Sequence, residues 1–167
     1  CLSIPASRAT EPAADSSTDK LNYAAALIEA GLPDYAEIVI GKDPTNSNET
    51  RFIRLLVLLR TGRLEAARDI VNALPDSDDL FTWKMKLAYA DACYAWNKPK
   101  ECRAVYDAFL ARFAGGPAKG MTDFYRDSVY RYAQTLLLLR DKPSALQAYI
   151  QLQKAPLEKA EERQIIA

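Results

Sequence analysis

The sequence contains no histidine, few glycines and no excess of charge of either sign. Without histidine, this chain cannot form a His-dependent catalytic triad, an HExxH zinc protease or a histidine proton shuttle. Its 22 Lys and Arg residues balance its 22 Asp and Glu residues, which argues against nucleic acid or an anionic membrane surface as the main partner. No apolar run reaches the roughly 18 residues that a membrane-spanning helix requires.

What remains is a composition typical of a globular protein. Apolar residues make up 49% and charged residues 26% of the 167 residues. A chain of this length corresponds to one domain, which buries about two thirds of its unfolded surface.

The two ends differ from the middle of the chain. Residues 1–18 are mostly small and polar with no apolar periodicity, so we expect a flexible tail or linker before a folded domain over 19–167. Cys1 is either the acylated first residue of a bacterial lipoprotein, part of a signal-peptide remnant cleaved near Ser7-Arg8-Ala9, or an arbitrary boundary. The first two alternatives predict an extracytoplasmic location: periplasmic, lipoprotein or secreted. A helical pattern that runs to Ala167 without a C-cap predicts that the natural protein continues.

Between the prolines and glycines, apolar residues recur with the period of an α-helix. No stretch alternates with a period of two, and no Asn-Gly or Asp-Gly turn occurs. The pattern therefore predicts an all-α fold with helices at 19–30, 33–41, 47–60, 63–74, 79–96, 99–113, 122–140, 143–154 and 156–167. A capping box over Asn46–Glu49 is expected to begin the third helix. The acidic run 76–79 is expected to cap the fifth helix rather than to bind calcium.

The helices fall into pairs with a recurring turn. The turn residues are Gly31, Gly62, Asn97 and Asp141. A small residue follows five positions later in the first three pairs, namely Ala36, Ala67 and Cys102, whereas the fourth pair has none at that place. This pattern resembles the tetratricopeptide repeat (TPR) family of helix-turn-helix repeats.

The resemblance implies an α-α superhelix, a right-handed TPR-like solenoid of four helix pairs plus the start of a fifth. Another α-solenoid or an irregular helical bundle is the alternative architecture. TPR arrays are usually non-enzymatic protein–protein interaction scaffolds that bind a partner peptide or helix on the concave face. No cofactor or metal is implied.

The family's carboxylate clamp is absent, because only Lys84 has the right residue type at the matching positions. The groove is expected to be mainly apolar instead, with seven partner-binding residues: Phe52, Leu56, Leu59, Lys84, Leu87, Tyr94 and Arg131. Alternatively, neighbouring helices or the chain's own tail, rather than a partner, cover these apolar surfaces.

Two other classes of function stay open. The chain could be the helical arm of a larger exported enzyme, such as a peptidoglycan-cleaving enzyme, with its catalytic domain elsewhere. It could also be a ligand-carrying helical domain with a closed core. Cys93 and Cys102 flank the third turn and are expected to be free, buried thiols rather than a disulfide.

Overall fold

The computed structural model describes residues 16–41, 47–116 and 122–154, and over these ranges the chain is α-helical without any β-strand. The predicted all-α class is therefore confirmed. The helices are α1 (Ser16–Glu29), α2 (Pro33–Gly41), α3 (Asn48–Arg60), α4 (Leu64–Asn72), α5 (Leu80–Ala95), α6 (Pro99–Arg112), α7 (Thr122–Leu138) and α8 (Lys142–Lys154). The predicted ninth helix, 156–167, and residues 1–15 of the predicted tail lie outside the described residues.

The turns inside the four helix pairs share one backbone geometry. Each contains a residue with a left-handed backbone: Gly31 (φ 77°), Gly62 (φ 73°), Asn97 (φ 55°) and Arg140 (φ 61°). In each turn this residue's N–H donates to the carbonyl three positions earlier, and the next N–H donates to the carbonyl five positions before it. These two bonds close the end of the first helix of each pair, as in a Schellman motif.

The fourth turn is displaced by one residue from the prediction, which had placed it at Asp141. The left-handed residue is Arg140, and the Asp141 carboxylate instead accepts a hydrogen bond from the Ser144 N–H at 3.3 Å. Counting from Arg140, the residue five positions later is Ala145, which is 1% exposed, whereas Leu146 is 59% exposed. The fourth pair therefore does have a small residue at the expected place.

Two positions in each helix pair, one before and one after the turn, are buried, and all eight residues there except Leu55 are small. The residues five positions after the four turns are buried almost completely, and so are those seven positions before them. The first set is Ala36, Ala67, Cys102 and Ala145, and the second is Ala24, Leu55, Ala90 and Ala133. Small residues allow two helix axes to approach closely.

Capping side chains set the starts of α3 and α5. Asp79 accepts a hydrogen bond from the Thr82 N–H at 2.8 Å, which confirms the predicted N-cap of the fifth helix. The predicted capping box at Asn46–Glu49 was wrong by one residue. Ser47 is the N-cap of α3, and its hydroxyl accepts a hydrogen bond from the Thr50 N–H at 3.2 Å.

The helices contact only near neighbours along the chain. The first helices of successive pairs contact one another, as α1 with α3, α3 with α5, and α5 with α7. Each second helix contacts the first helix of its own pair and of the next described pair, but in the described ranges no second helix contacts another second helix. One buried cluster joins α1 to α3, and a larger one extends from α3 to α8.

Candidate functional site

An open groove of about 640 Å³ lies along α5, between α3 and α7. These three helices are the first helices of consecutive pairs, and α3 does not contact α7. The apolar part of the lining consists of a floor formed by Ala88, Ala92 and Ala95 of α5, and of Leu56 and Leu59 on α3. Four larger or charged residues complete the lining: Arg60, Asp91, Trp96 and Arg131.

The depth of the groove comes from the small residues of α5. Ala88, Ala92 and Ala95 are spaced four and then three positions apart, so they lie on one face of the helix. Because their side chains are single methyl groups, the surface of α5 lies below the longer side chains of the helices on either side. Leu56 and Leu59 supply the α3 wall, where Leu59 is 6% exposed and Leu56 is half-buried.

A three-residue polar network fixes the α7 wall. One carboxylate oxygen of Asp91 accepts a hydrogen bond from the Tyr106 hydroxyl at 2.6 Å and lies 3.1 Å from Nε of Arg131. Burial raises the pKa of the Asp91 carboxyl, while Tyr106 and Arg131 oppose that rise. Burial, and then the charge of Asp91, raise the pKa of Tyr106, so the phenol stays a proton donor. The network therefore holds the Arg131 guanidinium beside the groove.

Trp96 stands at one end of the groove and is anchored to the preceding helix pair. Its indole Nε1 donates to the Leu59 carbonyl at 3.2 Å, while 51% of the residue stays exposed. Its ring lies directly over Gly62, where an added Cβ would be 2.9 Å from Cζ2 and Cη2. A fixed, half-exposed tryptophan is a type of residue that often dominates binding energy at protein interfaces.

Arg60 is the charged residue on the α3 side of the groove. It is the last residue of α3 and is exposed. Among the residues that the structure describes, no side chain forms an ion pair or a hydrogen bond with its guanidinium. The groove thus has a guanidinium on each of its two walls.

The seven predicted partner-binding residues divide between the groove and the packing around it. Leu56, Leu59 and Arg131 line the groove. The other four do not: the ring of Phe52 packs against Phe81, Nζ of Lys84 lies 5.6 Å from the centroid of the Phe124 ring, Leu87 is buried, and Tyr94 is half-buried. The role of all seven in binding stays a prediction.

Six lining residues were not anticipated from the sequence. They are Arg60, Ala88, Asp91, Ala92, Ala95 and Trp96. The spacing of the three alanines on one helical face was a usable signal for a shallow surface. The contact of Trp96 with the preceding turn depends on the packing of two helix pairs, and no local pattern encodes it.

Cys93 and Cys102 are free and buried, which confirms the prediction for both. Burial raises the pKa of each thiol, so neither is a ready nucleophile. The Sγ of Cys102 lies 3.5 Å from Oγ1 of Thr135. Cys1, the candidate lipidation site, lies outside the described residues.

A second cavity of about 220 Å³ lies among α2, α3 and α4 and is lined mainly by apolar side chains. At its edge, Arg63 forms a two-point ion pair with Glu37, with N–O distances of 3.0 and 2.8 Å.

Over residues 16–41, 47–116 and 122–154, no three His, Cys, Asp or Glu residues are grouped as they would be to hold a metal ion. None of the described helices is long and apolar enough to cross a membrane.

No protein-family model, curated protein or solved structure matches this chain. The TPR resemblance therefore rests on the sequence pattern and stays a prediction.

Proposed function

We propose that this chain is a non-enzymatic protein–protein interaction scaffold, built as a TPR-like array, that binds a segment of a partner protein in the groove along α5. The observation that carries the proposal is the groove itself: an open, mainly apolar channel shared by the first helices of three consecutive pairs. Contiguous exposed apolar surface with a charged rim is typical of protein interaction sites.

The four equivalent turns support the repeat architecture. The left-handed residue, the two hydrogen bonds that follow it and the buried small residue five positions later recur in every described pair. A helix pair of this size buries too little apolar surface alone, and stacking on its neighbours supplies the rest.

The helix contacts support a curved array. The first helices contact one another along the chain, whereas the second helices do not. A layer that is packed more closely than the layer behind it becomes the inner side of the curve. The groove lies on that inner layer, where an array of helix pairs offers a concave surface.

The test begins with a peptide selected on the protein itself. A displayed library of random peptides of about 12 residues, long enough for three helical turns, is selected on the immobilised full chain. The affinity of a selected peptide is then measured by fluorescence anisotropy for the wild type and for two variants, in each of which one alanine is replaced by glutamine. Ala92→Gln places a larger side chain on the groove floor, and Ala108→Gln makes the same change on the exposed surface of α6.

We expect Ala92→Gln to weaken binding by about tenfold or more, equivalent to about 1.4 kcal/mol, and Ala108→Gln to leave it unchanged. Glutamine is a good helix former, so both variants should keep the helical circular dichroism of the wild type. Equal affinities in the two variants would place the binding site elsewhere. Failure to select any peptide would argue against the scaffold function.

A further inference from the structure

The charges around the groove indicate what kind of segment it accepts. On the strength of the scaffold function proposed above, we propose that the groove binds an acidic segment of a partner protein, with apolar side chains on the floor and carboxylates at the two arginine walls.

The floor determines the apolar part of the partner. Between Leu56 on one side and the three alanines of α5 on the other, the described lining offers no hydrogen-bond donor or acceptor apart from the groups at its edges. The indole N–H of Trp96 is already bonded to the Leu59 carbonyl, so its remaining exposed surface is apolar. A polar side chain placed here would lose its water without gaining a hydrogen bond, whereas leucine or a similar side chain would gain free energy on burial.

The walls determine the charge of the partner. Asp91 is the only acidic residue in the described lining, and one of its oxygens already binds both Tyr106 and Arg131. Asp127, whose charge contributes to the raised pKa of Asp91, is not part of the lining. Among its charged groups, the described lining thus has two arginines and one aspartate, a net charge of 2 − 1 = +1, and Oδ1 of the aspartate is already occupied.

The two guanidinium groups keep donors for a ligand. Arg131 uses Nε toward Asp91, and a guanidinium has five N–H donors in all. Arg60 has no partner among the described residues. Carboxylates at the edges of a bound segment can therefore form ion pairs on both walls. A lysine or arginine at the same places would meet two cations and one anion, which is already paired with Arg131.

The probes are three capped peptides of about 12 residues, each with leucine at every third or fourth position to form one helical face. Their other positions are all Glu, all Gln or all Lys. The full chain is titrated with each peptide at low salt, where the ion pairs are screened least. We expect the Glu peptide to bind more tightly than the Gln peptide by roughly two- to fivefold per arginine, the range of exposed ion pairs, and the Lys peptide to bind more weakly than both.

Arg60→Gln removes the positive charge from the α3 wall of the groove without disturbing Asp91. The variant should lose roughly two- to fivefold in affinity for the Glu peptide and nothing for the Gln peptide. Arg68→Gln is the matched control, because Arg68 is also exposed but lines a different cavity. It should change neither affinity.

Each other outcome overturns the proposal in a distinguishable way. If the Lys peptide binds as well as the Glu peptide, the proposed preference for an acidic segment is wrong and the scaffold function stands. The same follows if none of the three probes binds while a library-selected peptide does. If neither the probes nor the library yields a binder, the acidic preference and the scaffold function are both wrong. If a peptide of residues 1–15, which contains Glu11 and Asp15, binds more tightly than the Glu probe, the groove belongs to the chain's own N-terminal segment. Self-association that Arg60→Gln weakens would assign the groove to a second copy.

Discussion

The contact between Trp96 and Gly62 joins one end of the groove to the preceding helix pair, and Gly62→Ala tests it. Gly62 has φ +73°, and an added Cβ would be 2.9 Å from two carbons of the Trp96 ring. Gly31→Ala is the matched control: its φ is +77°, but no atom lies within 4 Å of the added Cβ. Both variants introduce the same backbone strain, and only one displaces the tryptophan.

The expected loss in the free energy of unfolding combines a backbone strain in the folded state with a smaller entropy of the unfolded chain. A residue with a Cβ costs about 1–2 kcal/mol in the left-handed region, and the reduced freedom of the unfolded chain returns about 0.4–1 kcal/mol. Gly31→Ala should therefore lower the free energy of unfolding by about 1 kcal/mol. Gly62→Ala should cost about 0.5–1.5 kcal/mol more, because the hydrogen bond from Trp96 to the Leu59 carbonyl is lost when the ring moves.

Urea denaturation followed by circular dichroism measures both free energies. Tryptophan emission gives a second readout in a Trp83→Phe background, where Trp96 is the only tryptophan left. Gly62→Ala should shift that emission to the red, because the displaced ring is more exposed, and Gly31→Ala should not. Equal losses in the two variants with unchanged emission would refute the anchoring of Trp96 on this turn.

Three further predictions concern a turn, a cap and the thiols. Arg140→Gly should raise the free energy of unfolding by up to about 1 kcal/mol by removing the left-handed Cβ, whereas Asp141→Gly should lower it by removing a cap, as urea denaturation would show. Hydrogen bonds from the Ser77 hydroxyl and then the Thr82 N–H lower the pKa of Asp79 to about 2, below the 3.8 of the free carboxyl. The stabilisation by Asp79 is thus present above about pH 4 and lost as the pH falls through about 2, so the cost of Asp79→Ala, about 1 kcal/mol at pH 7, should shrink in denaturation curves at low pH. Cys93 and Cys102 should react with a thiol reagent only after denaturation, and protection that persists in urea until a reductant is added would contradict their assignment as free thiols.

Much of the helical framework could be predicted because proline and glycine act locally. Every described helix begins and ends within three residues of its predicted bounds. The fourth turn was misplaced because Arg140 carries none of the signal that glycine or asparagine gives for a left-handed backbone. The run Asp141-Lys142-Pro143 resembles Asn97-Lys98-Pro99. Aligning these two runs placed the fourth turn at Asp141, one residue after the residue that has the left-handed backbone.

The candidate site was only partly predictable, for a different reason. Residues 52–59 of α3 are all apolar except Arg54, so the sequence does not say which leucines contact a neighbouring helix and which line the groove. Leu59 and Leu87 were both expected at the partner surface and are both nearly fully buried, yet only Leu59 lines the groove. The difference arises from the packing of α3 and α5 against each other, which is a tertiary property.

The emission of Trp96 reports directly on whether a partner segment lies in the groove along α5. In the Trp83→Phe background, a library-selected peptide is titrated while the emission of Trp96 is recorded. Burial of the half-exposed ring should give a saturable blue shift whose midpoint equals the Kd obtained by anisotropy. Unchanged Trp96 emission at saturating peptide would contradict the assignment of the groove as the binding site.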